Sequence, residues 1–152
     1  MIVNHRHKLL MQFLWMTGVR VTEAISLLKK DIDFSNHTMR IRWLKNRKYL
    51  FRIIPIYPRL KDMLQIYTAT LKAEDKVFNI TRQRVWQLVS KYFEKGHPHQ
   101  FRHSFAVNWL RSGGEIATLS KILGHSSVIT TMIYLKIVPT DQGKELNKVV
   151  FE

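Results

Sequence analysis

Along this chain the spacing of apolar residues leaves the helical period in one stretch, and that break limits what it can fold into. Between residues 31 and 56, Met39, Ile41 and Trp43 alternate with Thr38, Arg40 and Arg42. Alternation sends one set of side chains to each face of an extended chain, the pattern of a half-buried strand. A short extended piece from Asp31 to Phe34 and a turn at Ser35-Asn36 precede it. A basic loop, Lys45-Asn46-Arg47-Lys48, and a returning strand from Tyr49 to Ile54 follow it. Residues 31–56 thus read as a small antiparallel sheet with a cationic hairpin tip.

On either side the apolar residues recur at helical steps. His7 to Met16 carries Leu9, Leu10, Phe13 and Leu14 and stops at Gly18. Thr22 reads as the cap of a second short helix with Ala24, Ile25, Leu27 and Leu28, which leaves Arg20 in or beside the turn. After Pro58, Leu60, Met63, Leu64, Tyr67 and Leu71 share a face, and Val77-Phe78 reads as a short link. Thr81 caps a helix carrying Val85, Trp86, Leu88, Val89, Tyr92 and Phe93, ended by Gly96. Pro98 opens a helix with Phe101, Phe105 and Trp109; Glu115 to Leu123 forms a short one stopped by Gly124. A further helix is expected from Ser127 to Lys136, before Pro139, and a terminal one from Lys144 to Val150. The expected fold is α+β: one mainly helical domain over residues 1–152, with a small antiparallel β-sheet near its N-terminal third.

Charge narrows the partner. Lys and Arg number 25 against 11 Asp and Glu, a formal net charge of +14. Such an excess points to a polyanion, nucleic acid first. No run approaches the ~18 apolar residues of a membrane helix, and the N-terminal residues lack a signal peptide's apolar stretch. With no cysteine there is no disulfide framework and no thiolate metal site. An intracellular domain is expected. Arg82, Gln83 and Arg84 lie in the first turn of their helix, where cations oppose the helix dipole, so an external anion explains them better than helix stability does. With Lys48, Lys91 and Arg111 they are candidate DNA contacts.

The chemistry-bearing residues concentrate between His97 and Tyr134. His99 and Arg102 are three apart near a helix start and share a face, His125 follows a glycine stop, and Tyr134 lies nine residues further on. Two histidines, a permanent cation and a phenol suit a phosphodiester. A metal site built from His97, His99, His103 and His125 is the rival, but His97-Pro98-His99 lacks ligand spacing and no carboxylate lies close by, so no metal is assigned. His103 reads as structural, buried and hydrogen-bonded.

Three motifs then carry a resemblance. They are Thr17-Gly18-Val19-Arg20-Val21-Thr22-Glu23, His99-Gln100-Phe101-Arg102-His103 with Ser104-Phe105-Ala106, and Leu123-Gly124-His125-Ser126-Ser127 with Thr130-Thr131 before Tyr134. In this order, with a basic hairpin between the first and second, they resemble the catalytic domain of the tyrosine recombinases, the phage-integrase and Xer-like family. The resemblance implies a site-specific recombinase or integrase that cuts and rejoins DNA through a 3′-phosphotyrosyl intermediate, with no cofactor. It makes Tyr134 the nucleophile, Arg20 and Arg102 the clamp on the non-bridging oxygens, His125 a third donor and His99 the base. A hairpin lysine protonates the leaving 5′-oxygen: Lys45, the first cation after the strand, with Lys48 the alternative. Guanidinium geometry suits the two clamp positions, and a phenol with a pKa near ~10 needs such help at neutral pH.

The resemblance further implies double-stranded DNA as partner and self-association on it, as a tetrameric synapse. It places the protein in the cytoplasm, with the nucleoid, in a prokaryote, virus or mobile element. Arg20 stands nineteen residues after the first, so the family's N-terminal core-binding domain is expected to be absent, with weaker, more salt-sensitive DNA binding. Residues 139–152, with Val149-Val150-Phe151, match the tail that family members dock on a neighbouring protomer. Two other functions stay open: a non-catalytic DNA-binding or regulatory protein on the same scaffold, and type IB topoisomerase-like strand relaxation. Lys45→Ala is expected to block cleavage of a normal 5′-oxygen duplex and to spare one with a 5′-thio leaving group, read as covalent adduct on denaturing gels. If both are cut normally, the acid is another residue.

Overall fold

The computed structural model describes residues 4–43 and 50–137. Helix α1 runs His5–Thr17, and the Asn4 side chain accepts from the Arg6 N–H at its start. Its apolar stripe of Leu9, Leu10, Phe13 and Leu14 is buried. Gly18 ends the helix at φ 66°, a left-handed conformation that glycine adopts without strain. Here it serves a second purpose. A Cβ at Gly18 would stand 2.4 Å from Phe105 Cδ1, so the missing side chain is what lets this turn sit against Phe105.

Helix α2, Val21–Ser26, begins immediately after that turn. Its N-cap is Arg20 and not Thr22, which is already helical; the carboxylate of Glu23 accepts from the Arg20 N–H at 2.9 Å. Glu23 supplies the acceptor that an arginine at the cap cannot.

A single 3-10 turn, Lys29–Asp31, leads into strands β1 (Ile32–Asp33), β2 (Thr38–Arg42) and β3 (Phe51–Pro55). They pair antiparallel in that order, with Met39 opposite Ile54 and Ile41 opposite Arg52. The expected alternation holds: Met39, Ile41 and Ile54 are buried while Arg40 is exposed. The returning strand starts at Phe51 and includes Pro55, which an outer strand tolerates. The expected hairpin tip at Lys45-Asn46-Arg47-Lys48, with Tyr49, lies outside the described residues.

Helix α3, Pro58–Tyr67, ends before Leu71. Val77-Phe78 is no mere link. Both are fully buried, Phe78 packs edge-on to Phe13 with ring centroids 5.2 Å apart, and the Val77 N–H donates to the Leu27 carbonyl. Helix α4, Arg82–Tyr92, starts on the Thr81 cap as expected, with Phe93 already extended. Helices α5 (His99–Arg111) and α6 (Ile116–Leu123) also match expectation, and α1 lies against α5. The continuous helix expected over Ser127–Lys136 is instead one α-turn, α7 (Val128–Thr131), followed by a 3-10 segment, Met132–Lys136. The expected terminal helix at Lys144–Val150 and the tail 139–152 lie outside the described residues.

Gly18→Ala joins a left-handed φ that alanine disfavours to a clash with Phe105 and is expected to destabilise the domain by about 2–4 kcal/mol. Thermal or urea unfolding checks it; a change under about 0.5 kcal/mol would remove the close approach as its cause.

Candidate active site

Arg102 anchors the site. It projects from α5 into the protein and is 2% exposed, and a buried cation must be hydrogen-bonded to be tolerated. Its Nη1 donates to the Gly18 carbonyl and its Nη2 to the Leu123 carbonyl, both at 2.7 Å. These carbonyls lie at the C-terminal ends of α1 and α6, where the helical ladder runs out and the dipole is negative. One guanidinium thus joins two helix ends 105 residues apart in the chain, Gly18 and Leu123. Burial first, and Arg20 second, lower its pKa to about 10, so it stays cationic at neutral pH.

His125 is placed by the same turn. Gly124 caps α6 at φ 73°, and the His125 N–H returns to the Ser120 carbonyl at 3.0 Å. Its Nε2 is 3.2 Å from Arg102 Nη2, and its Nδ1 is 2.6 Å from the Thr131 hydroxyl. A guanidinium only donates, so Nε2 is the acceptor; Nδ1 then carries the hydrogen and donates to Thr131. Burial, followed by Arg102, Arg20 and Arg52, drives the His125 pKa down to about 4. The ring is neutral at physiological pH.

Tyr134 sits on the 3-10 segment and is 3% exposed. Burial raises the phenol's pKa, against the pull of the Arg102 and Arg20 charges. Its ring meets His103 edge-on at 5.5 Å, and His103 meets His99 at 4.8 Å. His103, expected to be buried and bonded, is half-buried and lies between the tyrosine and the exposed His99. Burial and the charges of His103, Arg102 and Arg20 hold the His99 pKa below its ordinary value.

Arg20 faces this group from the α2 cap. Its Nη1 is 3.7 Å from Glu23 Oε1, so the carboxylate of its own motif neighbours it. Glu23 is buried and shared: its other oxygen is bonded by Arg52 Nη1. Arg52 went unanticipated. Its signal was in the strand, because Arg52 and Ile54 are two apart and therefore on the same, inward face. Thr131, the partner of His125, was visible only as part of a motif.

The structure therefore brings Arg20, His99, Arg102, His125 and Tyr134 into one neighbourhood and adds Arg52, Glu23 and Thr131. Arg82, Gln83, Arg84 and Lys91 are not part of it; they stand exposed on α4, as Arg111 does at the end of α5. Lys45 and Lys48 lie outside the described residues. Among the described residues no three His, Asp or Glu side chains converge as a metal-ligand set, and no helix is long and apolar enough to cross a membrane.

The model of the phage integrase family matches residues 2–140. The chain belongs to the phage integrase family. Its relatives within that family include the tyrosine recombinase XerA of Saccharolobus solfataricus, 35% identical over 147 residues, which cover 94% of this chain and 50% of that protein. Among solved structures, the catalytic domain of bacteriophage HP1 integrase superposes with a TM-score of 0.71 at 28% identity, over 91% of this chain and 79% of that one. XerH recombinase, solved bound to its difH substrate before cleavage, shares the fold with a TM-score of 0.76 at 21% identity, over 100% of this chain and 50% of that one. The chain spans about half the length of the curated relatives it matches. As in those phage integrase relatives, a mainly helical domain carries a small antiparallel sheet.

His125 is expected to titrate near pH 4 in proton–nitrogen NMR spectra, as the Nδ1–H tautomer above that. Its folded pKa lies below the ordinary 6.5, so the stability tied to its neutral form is complete above pH 6.5 and is lost as pH falls through 4. An Nε2–H tautomer at pH 7 would contradict the Arg102 contact.

Proposed function

We propose that this chain is the catalytic domain of a site-specific recombinase that cuts and rejoins DNA strands through a 3′-phosphotyrosyl bond. The observation that carries the reading is that the charges of Arg102 and Arg20 reach both His125 and the one buried tyrosine of the described residues, Tyr134, while His125 itself lies against Arg102. In this reading the Tyr134 oxygen attacks the scissile phosphorus and the bond to the 5′-oxygen breaks. His99 takes the phenolic proton, and Lys45 returns one to the leaving oxygen. Arg20 and Arg102 neutralise the non-bridging oxygens, as preorganised donors do for a developing oxyanion. His125 donates to them after taking a proton on Nε2, which the phosphate's own charge favours. The phosphotyrosyl ester conserves the energy of the broken bond, so rejoining needs no nucleotide.

The resting geometry adds a condition. Arg102 and Tyr134 are both closed off from solvent, so in this reading the resting structure opens before a phosphate reaches them. Duplex DNA is the substrate in this reading, with Arg82, Gln83, Arg84 and Lys91 on α4, and Lys48 on the hairpin, contacting its backbone. Copies associate on the DNA, with the 139–152 tail reaching a neighbouring protomer, and the work is done in the cytoplasm on nucleoid or mobile-element DNA. On a nicked suicide duplex carrying a cognate site, in EDTA, the chain is expected to form a covalent adduct that Tyr134→Phe abolishes. Arg102→Ala is expected to slow it by about 10²–10³-fold. A chain that binds that duplex but forms no adduct is a binding protein, and an adduct lost in EDTA makes the chemistry metal-dependent.

A further inference from the structure

We infer that Arg52 is a positioning residue for strand cleavage: its guanidinium ties the Arg20–Glu23 turn to the end of α6 and so fixes where His125 stands. The inference rests on the proposed chemistry for its consequence, but its geometry is independent of it. Arg52 projects from the inner face of β3, opposite Ile41, with its side chain 10% exposed. Its Nε donates to the Ile122 carbonyl at 2.7 Å, and its Nη1 pairs with one oxygen of Glu23. The other Glu23 oxygen accepts from the Arg20 N–H at 2.9 Å and lies 3.7 Å from Arg20 Nη1. An unbroken chain of contacts therefore runs from the α6 carbonyl through Arg52 and Glu23 to Arg20. It joins sheet, turn and helix end beneath one site.

The guanidinium also forms the floor of the His125 turn. A Cβ built on Gly124 would stand 2.9 Å from Arg52 Nη1, 3.0 Å from Cζ and 3.1 Å from Nε. The residue before His125 thus rests directly on Arg52, and glycine is what permits the approach. Lysine cannot replace this arrangement, because one ammonium lacks the fixed fork that reaches a carbonyl and a carboxylate together. Stability alone does not explain the residue either. Arg52 Nη2 is buried without a hydrogen-bond partner among the described residues, and an apolar pair often serves stability as well as a buried ion pair. Too buried to grip a duplex, Arg52 acts through the residues above it, and its charge is among those felt at both Arg102 and His125.

The test uses the whole 152-residue chain with Arg52→Lys, Arg52→Gln, Gly124→Ala and the Arg52→Gln/Gly124→Ala double variant. In the DNA-free protein, the His125 ring resonances are expected to move in both Arg52 variants, while those of His97, stacked on Trp86, stay in place. On the suicide duplex, single-turnover adduct formation by Arg52→Lys is expected to fall about ten- to a hundred-fold, as a small misplacement of reacting groups costs. DNA affinity is expected to stay within about twofold, since Arg52 makes no phosphate contact. Gly124→Ala is expected to slow the Arg52→Gln background several-fold less than the wild-type background: the left-handed backbone strain is common to both, and only the contact with Arg52 is lost between touching residues. Unmoved His125 resonances, equal losses of affinity and rate, or additive effects would each overturn the inference. Should wild type form no adduct, the proposed chemistry fails, and the His125 resonances still decide whether Arg52 sets that ring.

Discussion

The arrangement depends on a buried guanidinium that satisfies two helix ends at once. Arg102 binds the terminal carbonyls of α1 and α6, and in doing so it decides where both following turns go. Arg20 lies two residues beyond Gly18, and His125 two residues beyond Leu123. The contact is favourable on several counts. The carbonyls have lost their helical partners, the helix dipoles present negative charge, and the cation finds the acceptors its burial demands. Both turns need a left-handed residue, and glycine stands at each.

The same partners fix the state of each group in the resting chain. His125 spends its Nε2 lone pair on Arg102 and its Nδ1 hydrogen on Thr131, so it is neutral and has no donor to offer. Tyr134 is buried and its phenol is less acidic than in water. Three arginines around one site repel one another as well, and the Glu23 carboxylate between Arg20 and Arg52 offsets part of that repulsion. A phosphate would resolve all of these at once: it supplies negative charge to the arginines, favours protonated His125, and draws on the tyrosine. The cations crowd closely because carbonyls at two helix ends and the Glu23 carboxylate hold them there.

Much of this was legible in the one-dimensional pattern. The break in period marked the three-stranded sheet, Gly18, Thr81, Pro98 and Gly124 marked element ends, and seven of the eight side chains that meet in the site, all but Arg52, stood in three short motifs. These signals are local: a cap, a stop or an alternation depends on residues within a few positions. Errors fell where a segment's neighbours override its own preferences. Val77-Phe78 looked like a link and is core, because Phe13 and Tyr67 close over it. Thr22 looked like a cap, but Glu23 reaching back to Arg20 started the helix earlier. The Tyr134 segment looked like one helix and is an α-turn followed by a 3-10 turn.

What the sequence determined by itself was the inventory: a basic α+β chain with arginines, histidines and a tyrosine in fixed local settings. Tertiary structure decided which of them meet and in what state. No spacing rule brings Arg20 beside Arg102, 82 positions away; a guanidinium bonded to the Gly18 carbonyl does. No motif gives His125 its tautomer; the donor on Arg102 and the acceptor on Thr131 do. Arg52 shows the division most plainly. Its inward register is written in the strand's alternation, yet its meaning comes from a carbonyl 70 residues away and a carboxylate 29 residues back. Hydrogen bonds at that separation are chosen by packing, and only the folded chain brings the partners within reach.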